Sequence, residues 1–303
     1  MALIRINAVN RQPVLHRTEK GLTASLQNAL QCDGPITVML HGYKFTPRDP
    51  AHCPHRHIFA PHDVACPKGV SWPQRMGFLS GRTDSGLGVA FGWNARGTLK
   101  QALRSAVRAA HALARLIRIL RELAPDRPVH LIAHSMGGYV ALKALRHLKA
   151  GDVGRILLLN GTVFRPSAAA ALRTDAGRAA ELYNITSTEN AVFDLGFEWL
   201  LGHSAAHDRT LGRGFSASNA VTLLLHDRAS LAQLSAMGYD IGPPRHWFCH
   251  WSTYLRPGAM EFYGALMREP LRLPLATLQA QLANSAQNKA TGLALPGGSC
   301  RTA

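Results

Sequence analysis

A chain of 303 residues with 47% apolar and 17% charged side chains has the composition of a globular protein with a real core, as one large α/β domain or two small ones. Its net charge of +16 raises a nucleic-acid or anionic-surface reading, but the arginines are scattered with no consecutive basic block, and no nucleic-acid partner is expected. Five cysteines without a C-x-x-C pair imply no disulfide framework, no run reaches the roughly 18 apolar residues of a membrane span, and the amino terminus lacks a signal-peptide pattern, so a cytoplasmic protein without a transmembrane segment is expected.

In chain order, the first apolar run, residues 2–9, reads as a strand, and Ile36–Gly42 reads as a compact buried one. Residues 44–86 are rich in Pro, His and Gly and join two strands with little regular structure, which predicts a lid-like insert. Leu87–Trp93 is the next strand, followed by an amphipathic helix over 99–123 that Pro125 and Pro128 close. On that helix Arg104, Arg108, His111, Arg115 and Arg118 recur three or four apart, with Leu103, Val107, Ala110, Leu113 and Leu120 broadly opposite. A solvated outer face accounts for the stripe without a partner. Val129–Leu148 passes from strand to helix at Ser135, and the helix stops by Gly151. Strands follow at 155–161, 180–187 and 219–227, then a second excursion at 228–248 with a short helix. Alternating strands and helices predict an α/β protein with a mostly parallel sheet and helices on both faces. The main domain is expected over 1–273, and the polar tail 274–303 is expected to be partly disordered.

The turn at Ser135 carries chemical information. A strand that becomes a helix within two residues crowds the flanking positions, and Ala133, Gly137 and Gly138 supply the small side chains required there. A serine at such an apex is pushed out over the sheet edge, the geometry of a nucleophile elbow, here written A-H-S-M-G. The Met136 N–H then opens the helix, where amide donors are unsatisfied and an oxyanion is stabilised. The second oxyanion donor is expected from the loop after Ile36–Leu40, where His41-Gly42 closes the strand and the Tyr43 N–H follows.

A serine nucleophile needs a histidine and a group that orients it, arriving later in the chain. After the strand ending near Ser187 the acid is expected at Glu189, with Asp194 as the alternative. Position after the last strand leaves His226, His246 and His250, and His250 is favoured because Trp247, Phe248, Trp251 and Tyr254 surround it and can pack its loop over the site. The insert also holds His52, Cys53, His55, His57, His62 and Cys66, residue types that ligate zinc, but their spacing matches no standard finger and no metal is expected.

The segments "MLHGYKF", "FGWNARG" and "LIAHSMGG", extended by "YNITSTEN" and "FCHWSTYL", together resemble the α/β-hydrolase superfamily over roughly residues 35–260, closest to bacterial esterase- or lipase-like members of unassigned function. The resemblance implies Ser135 as nucleophile, His250 as base, an acid near Glu189, and neither cofactor nor metal. Many members have aspartate around positions 190–191, where this chain has Asn190 and Ala191. The expected activity is hydrolysis of a small-molecule or lipid-like ester or thioester through an acyl-enzyme. Acyl transfer or amide cleavage on the same residues, or a non-catalytic protein that binds an anionic partner, are the alternatives.

Overall fold

The computed structural model describes residues 3–18, 21–201 and 209–281. Among these, the strands β1 (Leu3–Val9), β2 (Gln12–Leu15), β3 (Ile36–Leu40), β4 (Leu87–Gly92), β5 (Val129–His134), β6 (Arg155–Leu159), β7 (Glu181–Thr186) and β8 (Ala220–Leu224) form one sheet. Its order is β2-β1-β4-β3-β5-β6-β7-β8, and only β2 runs antiparallel to its neighbour. The helices are α1 (Leu22–Ala29), α2 (Trp72–Arg75), α3 (Leu99–Leu123), α4 (Met136–Ala144), α5 (Arg165–Leu172), α6 (Asp175–Ala179), α7 (Ala191–Leu201), α8 (Arg228–Ala236), α9 (Ser252–Leu255) and α10 (Ala259–Arg268). The expected fold class, a mostly parallel sheet between two helical layers, is the one observed.

The central strands are buried at every position because both faces are covered, and alternate residues feed opposite cores. Val38, Leu40, Leu131, Ala133 and Leu158 face the layer of α3 and α4. Met39, Ile132 and Leu157 face the other layer. Helix α3 begins where expected because Thr98 and Gln101 form a reciprocal capping box, each side chain accepting the other residue's backbone N–H. Its Ala102, Ala106, Leu113, Ile117 and Leu120 are buried, whereas Arg104, Arg108, Arg115 and Arg118 are exposed. Val107, expected on the buried side, is exposed as well.

Segment 44–86 differs from the expected lid. Ile58, Phe59, Trp72, Met76 and Phe78 are buried in the second core, where they meet Tyr254, Phe262, Tyr263 and Leu266. The segment is therefore a fixed wall of the domain, and burying a side chain such as Phe59 stabilises it by about 2–3 kcal/mol. The second excursion is anchored on the same core through Leu234 and Ile241. Leu275 and Leu278 pack there too, so the start of the tail is part of the fold. The rest of the tail expected to be disordered, 282–303 with Cys300, lies outside the described residues. The other four cysteines are free thiols.

Winding reverses around β3 and β5: the chain steps from β3 outward to β4, then crosses back to β5 and proceeds to β8. Loops leaving the carboxyl ends of β3 and β5 therefore diverge, and a crevice opens between them. Ser135 lies at that point.

Candidate active site

Ser135 follows β5 directly and adopts φ 56° and ψ −125°, a left-handed conformation that costs a non-glycine residue roughly 1–3 kcal/mol. The surroundings over-determine it. Its N–H donates to the Leu159 carbonyl at 3.0 Å, and its own carbonyl accepts from Gly138 and Thr162 at 3.0 and 3.1 Å. The elbow also presses on the end of β3. A Cβ on Gly137 would stand 2.7 Å from the His41 carbonyl oxygen, and one on Gly42 would stand 2.7 Å from Ser135 Cβ. Both glycines are thus needed for close approach between two strands, beyond the crowding within the turn itself.

His250 reaches this serine: its Nε2 lies 2.7 Å from Ser135 Oγ. The structure brings His250 there, and not His226 or His246. His226 Nδ1 accepts the Thr188 N–H, and His246 is exposed. The loop bearing His250 is tied to the elbow by its own backbone. The His250 carbonyl accepts from His134 Nε2 and from Asn160 Nδ2, both at 2.9 Å. Burial pushes His134 down to about 4, so it is neutral, and its single proton sits on the nitrogen that makes this bond. His134 in turn packs edge-on against Tyr254. The Phe193 ring covers His250 at 4.9 Å. Burial, with His134 as the smaller cause, holds the His250 imidazole well below its ordinary value.

The group that orients His250 is an amide. His250 Nδ1 lies 2.6 Å from Asn190 Oδ1, and Asn190 Nδ2 donates to Asp194 Oδ2 at 2.8 Å. The proton positions follow from the end of this chain. An ionised Asp194 only accepts, so the amide must present its NH2 to it and its oxygen to His250. His250 must then donate from Nδ1, which leaves Nε2 with a lone pair toward the Ser135 hydroxyl. Once Ser135 donates to His250, the Thr162 hydroxyl, 3.0 Å from Ser135 Oγ, is the donor to that oxygen. Burial, the largest influence, raises the Asp194 carboxyl to about 6 against the opposing pull of Asn190 and Thr210.

Glu189, expected to orient His250, is turned elsewhere, and Asp194 acts on the imidazole only through Asn190. Glu189 Oε2 is paired with Arg256 Nη2 at 2.5 Å, with both side chains only 3% exposed. Its other oxygen accepts the Arg245 and His246 N–H groups at 3.3 and 3.1 Å, and its carbonyl accepts from Cys249 at 2.8 Å. Glu189 therefore holds the loop that carries His250. Burial opposes its charge, but the Arg256 guanidinium, the His246 N–H and the Ser187 hydroxyl hold its carboxyl below the usual range. Replacing Arg256 by Met strands this carboxylate in the interior and is expected to destabilise the chain by about 3–5 kcal/mol in urea unfolding, with most of the loss recovered by adding Glu189→Met. A single-variant loss below about 1 kcal/mol contradicts the pairing.

For the oxyanion, the Met136 N–H opens α4 without an intrahelical acceptor. No acceptor among the described residues takes the Tyr43 N–H. His41 anchors the Tyr43 loop: its Nδ1 donates to the Gly42 carbonyl at 2.9 Å, its Nε2 accepts the Trp93 N–H at 3.0 Å, and its ring stacks on Trp93. Burial pushes His41 down to about 3, so it is neutral and fixed in that tautomer. The Tyr43 hydroxyl pins the same loop to the Gly97 carbonyl at 2.5 Å.

The zinc-type side chains of the insert separate. His52 binds Asp49, His55 binds Asn7, and His57 Nε2 lies 3.2 Å from Cys66 Sγ. Among the described residues no three His, Cys, Asp or Glu side chains converge. No helix among them is long and apolar enough to cross a membrane.

Sequence reasoning missed Asn190, Thr162, His134 and Asn160. Only Asn190 had a signal, as the residue standing where the resemblance implies aspartate.

Residues 18–164 match a family model described as an alpha/beta hydrolase of unknown function (DUF900). No curated protein matches the sequence. Among solved structures the chain is similar to a Trichoderma reesei cutinase in complex with a phosphonate inhibitor, at 12% identity over 82% of this chain and 88% of that one, with a TM-score of 0.39. It is similar to the catalytic core domain of an acetyl xylan esterase from Trichoderma reesei, at 14% identity over 82% and 98%, with a TM-score of 0.34. A phospholipase from Legionella pneumophila matches at 12% identity over 58% of this chain and 42% of that one, with a TM-score of 0.32.

Proposed function

We propose that this chain, whose fold is that of the α/β hydrolases, is a serine-dependent hydrolase of carboxylic esters or thioesters. The observation that carries the reading is the 2.7 Å approach of His250 Nε2 to Ser135 Oγ, with the serine held at a positive φ. A free serine hydroxyl is a poor nucleophile at neutral pH, and a neutral imidazole aimed at its proton removes that obstacle.

In the reaction, Ser135 Oγ attacks the carbonyl carbon as its proton passes to His250 Nε2. Negative charge collects on the former carbonyl oxygen, toward the Met136 and Tyr43 N–H groups. Collapse of this intermediate breaks the ester or thioester bond, and the leaving oxygen or sulfur takes the proton from His250. Water then attacks the acyl-Ser135 carbonyl, giving one proton to His250. The second collapse releases the carboxylic acid and returns that proton to Ser135. Throughout, Asn190 keeps the Nδ1–H of the ring in place, and Asp194 keeps Asn190 from turning over.

A fluorophosphonate probe tests the reading directly, because it phosphonylates only a serine whose proton is being removed. Labelling is expected on the peptide containing Ser135 and is expected to vanish in Ser135→Ala and in His250→Ala. Labelling that persists undiminished in His250→Ala, or none at Ser135, defeats the proposal.

A further inference from the structure

Helix α7 carries its apolar side chains outward. Only Asp194 and Phe197 are buried, the first against Asn190 and the second against Phe164. Val192, Phe193, Leu195, Trp199 and Leu200 are exposed, Trp199 by 79%. Their spacing, 192-195-199 and 193-200 with Gly196 between, gathers them on one broad face. The loop before His250 continues that surface with Trp247, 91% exposed, and Phe248. The sequence reading had those two rings packed over the site, and only Tyr254 and in part Trp251 do so. The two segments join beside the serine, where the Cys249 N–H binds the Glu189 carbonyl and Phe193 touches both His250 and Trp251. Contiguous exposure of this kind marks an interaction surface.

Charge identifies the occupant. Within residues 189–201, 209–213 and 244–251 every carboxylate is withdrawn: Glu189 and Asp194 are buried, and the Glu198 side chain is 8% exposed. Of the exposed cations in those segments, Arg209 and Arg213 share the Glu198 carboxylate at 3.2 and 3.9 Å, and Arg245 stands in the loop before His250. Lys68 adds a fourth cation, 3.6 Å from the Trp251 ring. A second copy of a chain with net charge +16 would set these cations against their own kind, and residues 282–303 contain Lys289 and Arg301 but no Asp or Glu. An apolar centre with a cationic rim complements an anionic lipid surface.

We infer that this face docks on an anionic phospholipid bilayer, with Trp199, Trp247 and Phe248 entering the boundary between headgroups and acyl chains and Arg245 and Lys68 meeting the headgroup phosphates. Docking would set the mouth of the Ser135 site against the lipid. It needs no chemistry at Ser135, so it stands or falls separately from the hydrolase reading.

Co-sedimentation of the full chain with phosphatidylglycerol–phosphatidylcholine vesicles, against pure phosphatidylcholine vesicles, tests the inference. Binding is expected only to the anionic vesicles, with a blue shift of tryptophan emission and loss at high salt. Trp199→Ala with Trp247→Ala is expected to weaken it by roughly tenfold or more, and Arg245→Gln by roughly fivefold. Ser135→Ala is expected to bind as well as the unmodified chain. Circular dichroism of the tryptophan variant should be unchanged, since neither ring supports the core. Absence of binding to anionic vesicles, binding unaffected by the two tryptophans, or a dimer in sedimentation velocity that Trp199→Ala dissociates would each overturn the inference, the last by assigning the face to a second copy.

Discussion

Replacing Ser135 by alanine is expected to lower kcat for p-nitrophenyl esters by roughly 10⁴-fold or more, with KM little changed and the fold intact. In the proposed reaction this hydroxyl forms the acyl bond, and His250 Nε2 and the Thr162 hydroxyl converge on it. The amides of Met136 and Tyr43 survive the change, so a small rate above the uncatalysed reaction remains. Stability is preserved because the left-handed turn at 135 is held by backbone hydrogen bonds from Gly138 and Thr162 and to Leu159, none of which uses the side chain. His250→Ala should lose a similar factor, and the two changes together little more than either alone, since residues acting as one unit are non-additive. A Ser135→Ala rate within tenfold of the unmodified chain, on protein free of contaminating esterase, removes Ser135 from the reaction.

Much of this arrangement was legible because it rests on local chemistry. Strands β3 to β8 announced themselves as short, largely apolar runs, and α3 had both a capping box at Thr98 and Pro125 at its end. The elbow was legible because a strand-to-helix change at one residue demands small neighbours. Strand β2 was not, because its turn is built on Asn10 and Arg11, both at positive φ, and arginine replaces the glycine that usually betrays such a hairpin. The outward face of α7 was illegible for a different reason: an apolar helix reads as core, and only tertiary structure shows which side is turned in. Glu189 and Asn190 are neighbours, but successive side chains of a 3₁₀ turn point about 120° apart. One meets Arg256, 67 residues later in the chain, and the other meets His250. Neither pairing leaves a trace in local spacing, so a search for a carboxylate selected the wrong neighbour. Thr162 follows β6 in a stretch with no motif, and only the tertiary fold places it at Ser135.

Replacing Asn190 by leucine is expected to lower kcat by roughly 10³–10⁴-fold, the upper figure being what a wrong imidazole tautomer costs a serine protease. Leucine leaves His250 Nδ1–H without an acceptor, and the ring is then free to carry its proton on Nε2, where it blocks the transfer from Ser135. Exchanging the two groups, Asn190→Asp together with Asp194→Asn, restores an acceptor facing His250 and a donor behind it. That double variant should recover to within about tenfold of the unmodified rate, although each site has lost its own chemistry. The relay also dictates the pH profile. Above about 6 the Asp194 carboxylate only accepts, and Asn190 is locked with its oxygen toward His250. As the pH falls through that value the acid gains a donor, the amide can turn over, and kcat/KM should decline. Burial also holds the His250 imidazole well below its ordinary value. Asp194→Asn alone has both a donor and an acceptor at every pH, so its rate should be reduced throughout and should lose the acid limb near 6. The folded chain carries the Asp194 charge unfavourably, since its carboxyl is raised above the unfolded value of 3.8. The stability it withholds is therefore absent at low pH and grows as pH rises through about 6, and Asp194→Asn should be at least as stable as the unmodified chain at pH 8. A variant that is no less stable, slower, and stripped of one ionisation separates orientation of the base from general support of the fold. An acid limb that stays at the same pH in Asp194→Asn means that Asp194 does not govern it, and the amide would then hold His250 unaided.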